Sequence, residues 1–97
     1  MLRTNWKVYR KTLTLPNTEY SQALTTSSKY ISAKCTDRSE GFCLSLVKDQ
    51  VPNEGGTQYV TVFAGTMWEA KGDIRGEKTI YLSSPTAGIE IEIEEWS

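Results

Sequence analysis

The 97-residue chain contains no histidine, only two cysteines and three prolines, and almost no net charge, with 11 basic against 12 acidic residues. Each shortage excludes something. Without histidine no Ser-His or Cys-His nucleophile pair can be assembled, and the usual proton shuttle near neutral pH is missing. Two cysteines fall short of the four ligands a structural zinc site takes. The near-neutral balance lacks the basic excess of a phosphate-binding surface, so nucleic acid is not an expected partner. No apolar run is long enough to span a bilayer, and the opening MLRTNWKVYRK carries charge where a secretory signal needs an apolar stretch. The expectation is a protein made in the cytoplasm, with no membrane partner. Gly72 and Gly76 lack the following Lys-Ser or Lys-Thr of a phosphate-cradling loop.

What the chain does have is alternation. In GIEIEIEEWS, residues 88–97, Ile89, Ile91 and Ile93 fall on one side of a strand and Glu90, Glu92 and Glu94 on the other. Carboxylates spaced about 7 Å apart along a strand repel one another, so they must be solvated, paired or used. One expectation is a solvated face that guards an edge strand against aggregation. The other is pairing with the basic first strand, within a subunit or between copies, because Arg3, Lys7, Arg10 and Lys11 fall in residues 1–14, where no acid occurs. A row of carboxylates on a flat strand suits neither calcium, which takes six to eight oxygens from bent loops, nor acid-base catalysis, which needs carboxylates in unequal surroundings. No enzyme activity, metal or cofactor is expected.

The same period recurs as short runs between polar punctuation. WKVYRKTLTL shifts its apolar side from Trp6 and Val8 to Leu13 and Leu15, which predicts a bulge near Arg10 and Lys11 or a strand that changes sheets. PNTEYSQALTTSS reads as a single helical turn capped by Asn17 and carrying Tyr20, Ala23 and Leu24, or as a polar loop. YISAKC and FCLSLV read as a hairpin around TDRSEG, burying Ile31, Ala33 and Cys35 on odd positions and Phe42, Leu44 and Leu46 on even ones. That phase turns Cys43 away from Cys35 and predicts two free thiols. KDQVPNEGGTQ reads as irregular, and YVTVFAG, apolar on both faces, as a central strand. A short strand around Met67 and Trp68 is expected before a Gly- and Asp-rich turn, and KTIYLSS as another strand. The fold class is therefore all-β: one domain, residues 1–97, forming an antiparallel two-sheet sandwich, jelly-roll or immunoglobulin-like, of about seven strands with little helix.

Aromatic residues supply the remaining candidates. Trp6, Trp68 and Trp96 most simply close the ends of a sandwich core, but Trp68 and Trp96 with Tyr59 would also suit stacking on sugar rings.

Two stretches, YRKTLTLPNTEYSQAL (9–24) and IYLSSPTAGIEIEIEEWS (80–97), resemble the ends of small proteins encoded among the virion genes of tailed bacteriophages and prophages. The matching residues are Asn17, Thr18, Glu19, Tyr20 and Ser21, then Thr86, Ala87 and Gly88, and the closing Glu94, Glu95 and Trp96. The resemblance implies a virion structural component located in the particle, most simply a capsid decoration or cement protein. Its partners would be the major capsid protein or other virion proteins and further copies of itself. On this reading Arg3, Lys7, Arg10, Lys11, Glu90, Glu92, Glu94 and Trp96 carry the partner contacts. The alternative is a carbohydrate-binding or adaptor module of a head or tail fibre using Tyr59, Trp68 and Trp96.

Overall fold

The computed structural model describes residues 6–24, 27–37, 39–75 and 78–96. Eight strands are present among them: β1 (Trp6–Leu13), β2 (Tyr20–Ala23), β3 (Ser27–Cys35), β4 (Phe42–Ser45), β5 (Val60–Val62), β6 (Met67–Arg75), β7 (Thr79–Ser83) and β8 (Ile89–Trp96). They form two antiparallel four-stranded sheets with the orders β1-β8-β3-β6 and β2-β7-β4-β5. The topology is that of one long hairpin rolled up. Its arms pair as β1 with β8, β2 with β7, β3 with β6 and β4 with β5, and successive pairs fall alternately in the two sheets. The contacts of β8 with β3 and of β7 with β4 then seal each sheet. This is the jelly-roll, the first of the two sandwich topologies the alternation allows.

The core lies between the sheets and is built from the expected parities. Leu13, Ile31, Ala33, Cys35, Ile89, Ile91 and Ile93 come from the first sheet, and Phe42, Leu44, Val62, Ile80 and Leu82 from the second. Val51 is also fully buried. It sits beside a single 3-10 turn, Pro52–Glu54, inside a connection expected to be irregular.

Several expectations are corrected. β8 is an interior strand flanked by β1 and β3, not an edge, because its isoleucines are needed at the centre of the core. β1 pairs with it in unbroken register from Trp6↔Trp96 to Leu13↔Ile89, so there is no bulge at Arg10 and Lys11 and no change of sheet. Trp6 and Val8 simply face outward. Residues 30–47 are not a hairpin: β3 and β4 lie in different sheets. The connection between them is re-aimed by Asp37, whose Oδ1 accepts from Ser39 N at 3.0 Å, Ser39 Oγ at 2.7 Å and Cys35 Sγ at 3.2 Å. Both cysteines are free thiols. Leu46, expected inside, is 53% exposed because β4 ends at Ser45, whose Oγ bonds to the Val47 and Gln58 carbonyls and turns the chain away.

YVTVFAG forms an edge rather than a central strand, only three residues long, and Phe63 beyond it is 70% exposed. The strand at Met67 runs on through the segment read as a turn to Arg75. Gly72 sits within it at φ +115, where the register against β3 slips between Ser28 and Tyr30, a conformation that side-chain-bearing residues rarely adopt.

The segment after β1 is neither helix nor free loop. Asn17 takes a left-handed conformation, φ 51, and donates its N–H to Ser84 O at 2.7 Å, leading directly into β2. Tyr20 OH accepts from Leu15 N at 2.9 Å, and Glu19 Oε1 accepts from Asp49 N at 3.0 Å. On the opposite arm Gly88, φ 80, donates to Leu13 O at 2.7 Å. Asn17 and Gly88 therefore tie the two ends of the chain together, while Tyr20 fixes the turn after β1 and Glu19 holds the 3-10 connection at Asp49.

Candidate functional site

Because β8 lies between β1 and β3 and both run antiparallel to it, the even-numbered residues of β1 and β8 and those of β3 from Tyr30 onward share the outer face of the first sheet; Ser28, before the register slip, points inward. The registers arrange them in rows. Trp6, Trp96 and Tyr30 form one; Val8, Glu94 and Ser32 the next; then Arg10, Glu92 and Lys34; then Thr12 and Glu90. On β6, Lys71 lies opposite Tyr30, Glu69 opposite Ser32 and Met67 opposite Lys34.

This grid answers the repulsion that the glutamate row poses. Glu92 lies between two cations, 2.9 Å from Arg10 Nη2 and 3.6 Å from Lys34 Nζ. Glu90 Oε1 accepts from Thr36 Oγ1 at 2.9 Å. Glu94 has two longer contacts, Trp6 Nε1 at 3.3 Å and Ser32 Oγ at 3.4 Å, and no cation among the described residues. Three carboxylates expected to share one environment thus have three different ones. The indoles of Trp6 and Trp96 stack with centroids 5.6 Å apart and planes 22° from parallel, and Trp6 is 56% exposed. Beside them Tyr30 OH donates to Glu69 Oε2 at 2.8 Å, and Lys71 lies 3.5 Å from Glu69 Oε1. The Tyr30 bond is the main cause holding Glu69 below the ordinary carboxylate range, while burial first and this same bond second push Tyr30 up.

The structure brings together only part of the expected contact set. Arg10, Glu90, Glu92, Glu94 and Trp96 share this face. Lys7 and Lys11 have the opposite parity, standing across from Glu95 and Ile91, and do not face the glutamate row. Arg3 lies outside the described residues. Lys34, Tyr30, Ser32 and Glu69 were missed, although the parity of YISAKC signals the first three: if Ile31, Ala33 and Cys35 point in, residues 30, 32 and 34 point out.

Glu95 was missed for the opposite reason. It shares the parity of the isoleucines and is 2% exposed, inside the sandwich. Tyr9 OH donates to its Oε1 at 3.0 Å and Ser28 Oγ to its Oε2. Burial first, then this hydrogen bond and the nearby negative charge, push Tyr9 from its ordinary 10.0 up to about 12.

The glycan candidates do not converge. Tyr59 and Trp68 line one apolar groove of about 320 Å³ with Leu44, Leu46, Val47 and Val60. Trp96 belongs to the indole stack on the outer face. Among the described residues no cluster of three or more His, Cys, Asp or Glu could hold a metal ion.

No family model and no curated protein matches this chain. Among solved structures, it is similar to a de novo designed double-stranded β-helix determined in solution by NMR, with a TM-score of 0.55 and 10% identity over 97% of this chain and 100% of that one. It is also similar to the crystal structure of PirA, with a TM-score of 0.52 and 9% identity over 99% of this chain and 97% of that one. The likeness is one of fold: an all-β body of two antiparallel sheets.

Proposed function

We propose that this chain is a non-enzymatic virion structural protein of a tailed bacteriophage, a capsid decoration or cement protein that acts through protein-protein contacts. The observation that carries the reading is the outer face of the first sheet, where charged and aromatic side chains stand in ordered rows on a surface spanning four strands. Such a face suits a broad rigid contact better than the enclosure of a small substrate. Glu94, half-buried beside the Trp6–Trp96 stack and with no cation among the described residues, is the best-placed anchor: a carboxylate next to an aromatic pair suits an arginine of a capsid subunit. The likeness of residues 9–24 and 80–97 to phage virion proteins supports the same reading.

The test is to locate the chain in intact particles by mass spectrometry with copy counting, then to compare wild type with Glu94→Lys. Hundreds of copies per particle, and loss of particle binding by a variant that remains folded, are expected. Unchanged binding by Glu94→Lys would remove this face from the contact. Glu92 is unsuited to the test, because reversing it sets three cations against one another within the monomer.

A second reading, a carbohydrate-binding module, draws on the shared groove of Tyr59 and Trp68. Polysaccharide retention that disappears in Trp68→Ala would favour it over the first.

A further inference from the structure

The segment Tyr59-Val60-Thr61-Val62-Phe63 is a palindrome of residue types: aromatic, valine, threonine, valine, aromatic. Its central part is β5, one of the two edges of the second sheet, paired on one side only, with β4. We propose that β5 is a homodimer seam, pairing antiparallel with β5 of a second copy about a two-fold axis through Thr61.

In that register Thr61 faces itself, Val60 faces Val62 of the second copy, and Tyr59 faces Phe63 of the second copy. Every cross-strand pair is of a favourable kind, threonine on threonine, β-branched on β-branched and aromatic on aromatic. The sum of paired numbers is even, so residues of β5 keep their faces: Thr61 remains on the outer side, opposite Cys43, and Val60 and Val62 on the core side.

Charge points to the same occupant. At a two-fold axis each residue meets itself or a near neighbour, so an edge with net charge repels its own copy. β1, one edge of the first sheet, carries Lys7, Arg10 and Lys11 with no acid, the pattern of a strand kept from pairing, and β6, its other edge, is charged as well. β5 is unguarded: residues 55–66 form a twelve-residue stretch with no charge at all. Phe63, the most exposed large apolar side chain described, is left without cover by the monomer, as are Val60, Leu46 and Val47 around the same edge. Pairing about Thr61 sets Tyr59 of the second copy across from Phe63 and gives partners to the open side of β5. The inference does not depend on the virion reading.

A contact of this size belongs at the weak end of specific association, so light scattering coupled to gel filtration is run up to submillimolar concentration. The wild-type mass is expected to rise to that of a dimer. Thr61→Lys and Thr61→Glu place like charges on the axis. Each alone is expected to stay monomeric with an unchanged circular dichroism spectrum, and an equimolar mixture to dimerise again. Lys11→Glu, on the far edge, is expected to dimerise like wild type. If a Thr61 variant misfolds, amide exchange in the wild type decides, with protection at residues 60–63 rising with concentration. A monomer at every concentration, a dimer indifferent to both Thr61 charges, or one dissolved by Lys11→Glu would overturn the proposal.

Discussion

The two sheets differ in strand length and in the chemistry of their outer faces. The first has strands of eight, eight, nine and nine residues, and its outer face carries Arg10, Lys34, Glu90, Glu92 and Glu94. The second has strands of four, five, four and three. Its outward positions, Ser21, Ala23, Thr79, Tyr81, Cys43 and Thr61, hold no charge, and burial pushes the Cys43 thiol up. The difference teaches that the sandwich divides its work. Long ladders, unbroken between β1 and β8, hold the charged face in register, while the short sheet leaves an uncharged edge open at β5. The two proposed contacts accordingly fall on different parts of the molecule, the charged one on the first sheet and the strand pairing on the second.

The sharpest way to break this comparison is to make similar truncations in the two sheets. Ile91→Ala, at a fully buried position of the central strand, is expected to cost about 3 to 4 kcal/mol in chemical denaturation. Val60→Ala on the open edge is expected to cost below about 1 kcal/mol, since its side chain is already 44% exposed. Equal losses would mean that β5 is held as firmly as β8.

A smaller effect separates the two faces of β8 itself. Glu95→Ala leaves the Tyr9 and Ser28 hydroxyls without their acceptor inside the sandwich and is expected to cost about 2 to 3 kcal/mol. Glu94→Ala, one residue earlier on the outer face, is expected to change stability by less than about 0.5 kcal/mol while weakening particle binding.

The pH dependence follows from the same buried contact. Because the folded-state pKa of Tyr9 lies above its ordinary 10.0, its contribution to stability is whole below that pH and is lost as pH rises towards about 12. Tyr30 is raised as well and acts in the same direction. Thermal unfolding followed from pH 9 to 12 is expected to show a declining midpoint. The decline should be shallower in Tyr9→Phe, and a parallel decline in that variant would place its cause elsewhere.

The smallest expected effect concerns the ladder. Arg10→Ala is expected to cost below about 1 kcal/mol, and less in high salt, because Arg10 is half exposed and Lys34 still holds Glu92. A larger cost would show that the rows act as a cooperative network.

Much of this was readable from parity. Ile89, Ile91, Ile93, Ile31, Ala33, Phe42 and Leu44 fall inside as their alternation requires, because a one-residue error in face would exchange the core for the solvent side. The same rule misled at Trp6 and Val8, where outward apolar residues resembled a change of phase, and at Tyr59–Phe63, where two apolar faces suggested a central strand. At both places apolar character marks an exposed surface, and alternation alone cannot tell a covered surface from a bare one.

The sequence by itself determined that this chain is built of strands, and which residues of each strand share a face, because those follow from local geometry with a period of two. Tertiary structure alone decided that β8 lies between β1 and β3, that β3 and β4 part into different sheets, and that Glu95 lies inside while Glu94 looks out beside an indole stack. These depend on which distant strands pair, and that choice is made by the combined burial of the whole core, to which no single segment holds the key.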